Sequence, residues 1–308
     1  MNSFRSFFKG DIAAVLCLLL TMVLFGLTFM FTRVVLVKAS VFTLLSWRFF
    51  TAFLTMTLLR VFGVFKISLK GLPPSLLLIG LLYPVLYYTF ESLGVAMTSA
   101  AESGVIISIF PVVSMAMAAL FLKEKPGRLQ TLSMVVSVLG AIVVVLARGA
   151  SQLTYSKLGY LTLFGAVFSV GLFYVISRGV SGYSSAAKSY LMLGMGFVAF
   201  TAAATLEHLR GGTAALWLTL PFRDRDFLIA IIFLGALTSV LATWAQNYAI
   251  ERLGVHRSSA FSGIATVVSI LAGVLLLREA FTLVQGAGAA MILLGVTGVN
   301  VFGNGLAN

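Results

Sequence analysis

Cysteine occurs once in the 308 residues, as Cys17 inside an apolar run, so no intrachain disulfide can form. Histidine occurs twice, as His208 and His256, and neither stands in an HExxH, CxxC or similar metal-ligand spacing; no metal or other cofactor is expected. Charge is scarce too. Asp, Glu, Lys and Arg together make up 10% of the chain, where a soluble globular protein carries about a quarter. That is too little to cover a water-facing surface, and the apolar runs leave no room for a separate soluble catalytic domain. No glycine-rich GxxxxGK phosphate loop is present, which excludes ATP hydrolysis by that motif as an energy source. His and Asp are missing from the apolar runs, so the clustered side chains that an intramembrane enzyme needs are absent. Nor does a charged ring or a filter-like loop speak for a channel.

What fills the chain instead is apolar: 60% of its residues are hydrophobic and the mean hydropathy is +1.08. A spanning helix takes about 20 predominantly apolar residues. Runs of that length, bordered by Lys/Arg, Pro and Gly-Ser clusters, predict ten spans, at 12–35, 40–62, 73–94, 99–122, 129–147, 158–178, 184–207, 227–250, 257–277 and 283–303. The fold class is therefore an all-α membrane protein in contact with the lipid bilayer. The first run follows a charged start but shows no small-residue cleavage site, so it is expected to stay as a helix. The longest loop, 208–226, carries Trp217 among apolar neighbours and suits an interfacial segment. The formal charge of +12 sits singly or in small groups between the runs, which reads as topology signal and attraction to anionic lipid. No nucleic-acid partner is expected. With the N-terminus inside, the cytoplasmic side collects 12 Lys and Arg against 8 outside, while Arg48 lies within a span. Both termini are expected in the cytoplasm.

The two halves match each other. FGLTFMFTRVV (25–35) lies over VGLFYVISRGV (170–180) at an offset of 145, pairing Gly26 with Gly171 and Arg33 with Arg178. IFPVVSMAMAALFLKE (109–124) lies over IATVVSILAGVLLLRE (264–279) at an offset of 155, without a gap. The longer loop after the seventh span takes up the difference. This predicts two five-helix repeats, 11–147 and 156–303. Five is an odd number, so the repeats must be inverted in the membrane, an arrangement that secondary transporters use around a site near the bilayer midplane.

Phe25-Gly26, Arg48, the Thr-Ser-Ala that leads to Pro111-Val-Val, the Phe-Leu-Lys-Glu124 ending and its repeat at Glu279 resemble the EamA-type branch of the drug/metabolite transporter superfamily. The resemblance covers nearly the whole chain. It implies a multi-pass carrier of the plasma membrane, the bacterial inner membrane, that exports amino acids, other metabolites or toxic compounds through a cavity between the repeats. Two positions depart from the pattern: Thr266 stands where the ninth span commonly has proline, and Phe25 where tryptophan often precedes the first-span glycine.

A charge within a span is costly unless paired or wetted, which makes Arg48, Glu91 and Glu102 site candidates. All three are expected in the outer half of the membrane, as a cluster in which Arg48 bonds one carboxylate and the other meets a proton or the substrate. Glu102 is expected to be the better coupling residue because its helix is polar. Tyr83, Tyr87 and Glu91 fall at i, i+4 and i+8 on one helix face. Such a stripe either serves an amine-bearing or aromatic substrate or belongs to an aromatic belt. Ser108 and Pro111 with Gly104 on the fourth span match Gly263 and Thr266 with Ser259 on the ninth, as faces for a cavity or a tight crossing. Tyr174, Trp244, Gln246 and Asn247 complete the candidate set, lining a wet cavity or bonding between helices. Glu124 and Glu279 end their spans beside Lys123 and Arg278 and read as structural. Gly286, Gly288, Gly295, Ser133, Ser137 and Gly140 read as close helix contacts, within the chain or in a homodimer. The expected function is secondary transport of a small molecule by alternating access, with proton coupling as one driving force. Import of a cationic metabolite, a membrane enzyme and a channel are the alternatives.

Overall fold

The computed structural model describes residues 12–64, 74–121, 123, 126–147, 153–178, 183–253 and 261–302, and no strand occurs among them. The helices are α1 (Ile12–Leu36), α2 (Val41–Val61), α3 (Pro74–Met97), α4 (Ala100–Phe121), α5 (Arg128–Leu146), α6 (Leu153–Arg178), α7 (Ser185–Gly211), α8 (Ala214–Arg223), α9 (Arg225–Ile250, with a last turn reaching Leu253), α10 (Ser262–Leu276) and α11 (Leu283–Phe302). Among the described residues, nine of these are long and apolar enough to cross a membrane; α10, at the place of the ninth expected span, is apolar but shorter. Residues 254–260 lie outside the described residues, as do Glu124, His256 and Ser259.

Each helix leaves four N–H groups unsatisfied at its start, and a bilayer supplies no water to take them. Side-chain oxygens do so instead. Ser40 accepts from Thr43 N ahead of α2, and Asp224 accepts from Phe227 N ahead of α9. Ser184 does the same for α7, and Ser99 forms a reciprocal box with Glu102 at the start of α4. These are favoured helix-capping residue types.

Several spans are interrupted near their middles. In α3 the backbone leaves helical geometry at Tyr83 (φ −142°, ψ 109°), just before Pro84, inside a π-helical stretch over Leu81–Leu86. Proline has no N–H and its ring crowds the preceding turn, so the regular ladder cannot continue there. In α4 the helix breaks at Ser108-Ile109, two residues before Pro111, and restarts at Phe110. In α9 a π-helical stretch covers Phe233–Ala242. Wide turns of this kind re-aim side chains and recur at functional sites.

The halves pack on each other in reciprocal pairs: α2 on α7, α5 on α11, α4 on α10, α3 on α6 and α9 on α1. The small residues of α5 and α11 meet within the chain, since a side chain at Gly140 would strike Gly288 and one at Gly295 would strike Ser133 and Ser137. Leu16, Leu20, Leu132, Leu161 and Leu294 are exposed, as residues facing lipid should be. Gly235 brings the π-helical part of α9 against α2: a Cβ there would lie 2.7 Å from the carbonyl oxygen of Arg48 and from Thr51 Cβ.

Gly235→Ala is expected to lower the thermal midpoint in detergent. Overpacking costs about 1–3 kcal/mol, which outweighs the gain of about 1 kcal/mol in helix propensity. Gly286→Ala, where the added methyl meets nothing within 4 Å, should leave the midpoint unchanged or raise it.

Candidate functional site

Arg48 on α2 and Glu91 on α3 are each 2% exposed, and their charged ends face each other. The pair is a loose one. Arg48 Nη1 lies 4.0 Å from Glu91 Oε2, beyond hydrogen-bond distance. Arg48 Nε and Nη1 and Glu91 Oε2 are buried without a hydrogen-bond partner among the described residues. The guanidinium rests on the ring of Tyr88, 4.2 Å from its centroid, a cation–π contact. Glu91 Oε1 accepts from the Tyr87 hydroxyl at 3.5 Å.

Aromatic rings continue from this pair. Tyr83 and Tyr88 share a hydrogen bond of 3.0 Å between hydroxyls. Tyr83 packs on Phe173 of α6 with centroids 5.2 Å apart, Phe173 meets Tyr174, and Tyr174 stacks on Phe110 of α4. Beyond them lies a cavity of about 150 Å³ lined by Phe110, Pro111, Ser114, Met115, Tyr174 and Val175. Ser114 Oγ is buried there without a hydrogen-bond partner. The arrangement offers separated positive and negative ends, phenolic donors and π-faces, all in a dry setting where each counts for more than in water.

Of the expected cluster of three charges, Arg48 and Glu91 come together while Glu102 is held elsewhere. Glu102 is 1% exposed at the start of α4. Its Oε1 accepts from Tyr160 of α6 at 2.8 Å and from Gln285 Nε2 of α11 at 2.6 Å. Its Oε2 accepts from Ser99 N and Ser99 Oγ. Four donors saturate the carboxylate and tie three helices together.

The remaining candidates divide. Tyr83, Tyr87 and Tyr174 belong to the aromatic path, and Pro111 lines the cavity. The Ser108 hydroxyl is turned back onto Val105 O at 2.6 Å. Thr266 is 2% exposed with its hydroxyl unbonded. Trp244, Gln246 and Asn247 lie on the last part of α9, roughly 13 Å or more along the helix from Gly235 at 1.5 Å per residue; Trp244 and Asn247 are exposed and Gln246 half-buried. Sequence reasoning missed Tyr88 and Phe173. The helix break at Pro84 was the available signal, because it turns Tyr83 away from the straight-helix stripe while Tyr88 stacks under Arg48.

Polar contacts draw together the end of the bundle that carries the 36–40 turn. Arg33 Nη1 donates to the Val95 and Ala96 carbonyls at the end of α3. Glu279 accepts from Ala100 N at 2.8 Å and Ala101 N at 3.0 Å, covering the start of α4. Lys38 bridges Asp224 at 2.8 Å and Asp226 at 2.9 Å. Hydrogen bonds to the two aspartates raise the Lys38 ammonium above its ordinary range, and the bond from Lys38 is the main reason Asp224 is held below the usual carboxylate range.

A search with protein-family models matches the EamA-like transporter family twice, over residues 12–146 and 157–301. A Bacillus subtilis protein described as "Uncharacterized transporter YcxC" is 32% identical over 278 residues, covering 90% of this chain and 89% of that one. An "Uncharacterized transporter" of Archaeoglobus fulgidus is 26% identical over 285 residues, covering 91% and 95%. A solved crystal structure shares the fold, with a TM-score of 0.62 at 18% identity, over 95% of this chain and 99% of its own.

Two measurements test these assignments. Glu102→Gln sets an amide N–H₂ against donors and should lower the thermal midpoint, at a cost of about 1–3 kcal/mol, with Tyr160→Phe losing less. For the Lys38 bridge, the Asp224 contribution is complete above the ordinary aspartate value and disappears as pH falls through its lowered one. The Lys38 contribution is complete below the ordinary lysine value and disappears as pH rises through its raised one. Labelling of a cysteine placed at Ser40 should therefore stay flat across the neutral range and rise only at strongly acidic or strongly alkaline pH; Lys38→Met should raise it at every pH. The double match across nearly the whole chain decides the family: the chain belongs to the EamA-like transporter family.

Proposed function

We propose that the protein is a secondary transporter of the plasma membrane that exports small zwitterionic metabolites, amino acids foremost, by alternating access. Arg48 and Glu91 are its binding and coupling pair. The observation that carries this reading is that two buried opposite charges face each other while three of their polar atoms have no hydrogen-bond partner among the described residues. A permanent ion pair in a dry interior is stable only with close geometry and full hydrogen bonding. A substrate carboxylate on Arg48 Nε and Nη1, with its ammonium on Glu91 Oε2, would complete both. The tyrosine faces would hold an apolar or aromatic side chain. A purely cationic solute fits less well, because Arg48 repels it.

In this reading the halves are inverted five-helix repeats with both termini in the cytoplasm, and the interrupted α3, α4 and α9 flex as the repeats rock about the site. Their reciprocal packing supports it. Without a GxxxxGK loop, the driving force is the solute gradient or proton exchange. A proton arriving on Glu91 would release the ammonium it held, which couples the two fluxes.

The test is uptake by inside-out vesicles of radiolabelled amino acids, with and without an imposed proton gradient. Arg48→Gln should raise the half-saturating concentration by tenfold or more for zwitterions. Glu91→Gln should abolish the response to the proton gradient. Saturable flux with unchanged parameters in both variants would remove the pair from the mechanism, and no saturable flux of any amino acid would remove the substrate class.

A further inference from the structure

The loop between α7 and α9 contains α8, which has apolar residues on both of its sides. Inward, Leu220 packs in a cluster with Leu44, Phe227 and Phe233. The Trp217 indole donates to Ser46 Oγ at 3.0 Å, and the Trp47 indole donates to the Trp217 carbonyl at 3.1 Å. Outward, Ala215, Leu218 and Phe222 fall at i, i+3 and i+7 along one edge, all exposed, with Phe222 84% exposed. A helix that shows so much apolar surface beside the ends of membrane spans lies at a lipid interface.

The charges around that edge point to one kind of lipid. Arg210 closes α7, Arg223 closes α8 and Arg225 opens α9; all three are exposed, and none has an ionic or hydrogen-bond partner among the described residues. The acidic neighbours that could neutralise them are engaged elsewhere. Asp224 and Asp226 are bridged by Lys38, and Glu207 accepts from Ser40 at 2.9 Å. What remains is three guanidiniums around an apolar edge at the level of the headgroups. Guanidinium matches a phosphate oxygen pair better than any other side chain does.

We propose that α8 and its flanking arginines form a docking site for anionic phospholipid, with the phosphate among Arg210, Arg223 and Arg225 and an acyl chain along Leu218 and Phe222. The site is bolted to α2 through Trp217, Ser46 and Trp47, the two residues before Arg48. A bound lipid thereby restrains the segment that carries the buried cation.

The experiment uses the full chain in vesicles of phosphatidylcholine with a minor share of phosphatidylglycerol, one or the other carrying brominated chains. Trp217 emission is read as the difference between the native chain and Trp217→Phe. Brominated phosphatidylglycerol should quench it more strongly than brominated phosphatidylcholine. Each basic residue near an anionic surface strengthens attraction by roughly fivefold, so the triple variant Arg210→Gln, Arg223→Gln, Arg225→Gln should lose the preference by on the order of a hundredfold. A charge-matched control at the opposite end of the bundle, Arg60→Gln, Arg128→Gln, Arg252→Gln, should retain it. If the triple variant cannot be recovered folded, Arg223→Gln alone is read the same way, with a loss of about fivefold. The proposal is overturned by equal quenching from both lipids in the native chain, by equal losses in the two triple variants, or by soluble glycerol phosphate abolishing the preference at low concentration. None of these readouts needs a transport substrate.

Discussion

A polar group inside a bilayer has to find its partner within the protein, and the interrupted helices of this chain survive because they do. The short turn between α3 and α4 concentrates the problem, since one helix ends and another begins there at the edge of the hydrocarbon. Arg33 covers the last carbonyls of α3, Glu279 covers the first N–H groups of α4, and Ser99 and Glu102 cover the rest. Each partner comes from a different helix or from the next turn. The bonds that satisfy the ends therefore also fix how α1, α3, α4, α10 and α11 meet.

Against that background the looseness of Arg48 and Glu91 stands out. Elsewhere in the span region a buried carboxylate has as many donors as it can accept, as Glu102 does. Between α2 and α3 the chain instead buries two charges at 4.0 Å and surrounds them with tyrosines. Mutual attraction keeps both charges tolerable in the dry interior, while the open lone pairs and N–H groups leave room for a third party. A transporter needs a site of that kind, because a pair closed on itself would bind nothing.

Periodicity and composition made most of the architecture legible. Runs of about 20 apolar residues can only be spanning helices in lipid, and polar borders mark their ends, so the described helices follow the expected segments closely. The pairing of Lys-Glu with Arg-Glu at the ends of matched spans also pointed correctly to a structural Glu279. The site was less legible. Arg48 and Glu91 could be named from charge in an apolar run, yet nothing in spacing says which carboxylate an arginine on another helix will meet. Glu102 looked equally available in sequence. Its four donors come from Ser99, Tyr160 and Gln285, and two of those residues lie more than fifty positions away.

By itself, then, the sequence determined that this is a helical membrane protein, where its spans lie and which few charges are buried, because a single long apolar run has only one way to satisfy its backbone in lipid. Tertiary structure alone decided how those charges are distributed: Glu102 as a tie between α4, α6 and α11, Glu91 as the counterpart of Arg48, and Tyr88 as the ring beneath it. The physical reason is that helix breaks at Pro84 and near Pro111, and a contact at Gly235 that admits no side chain, set rotations and depths that no straight-helix pattern encodes.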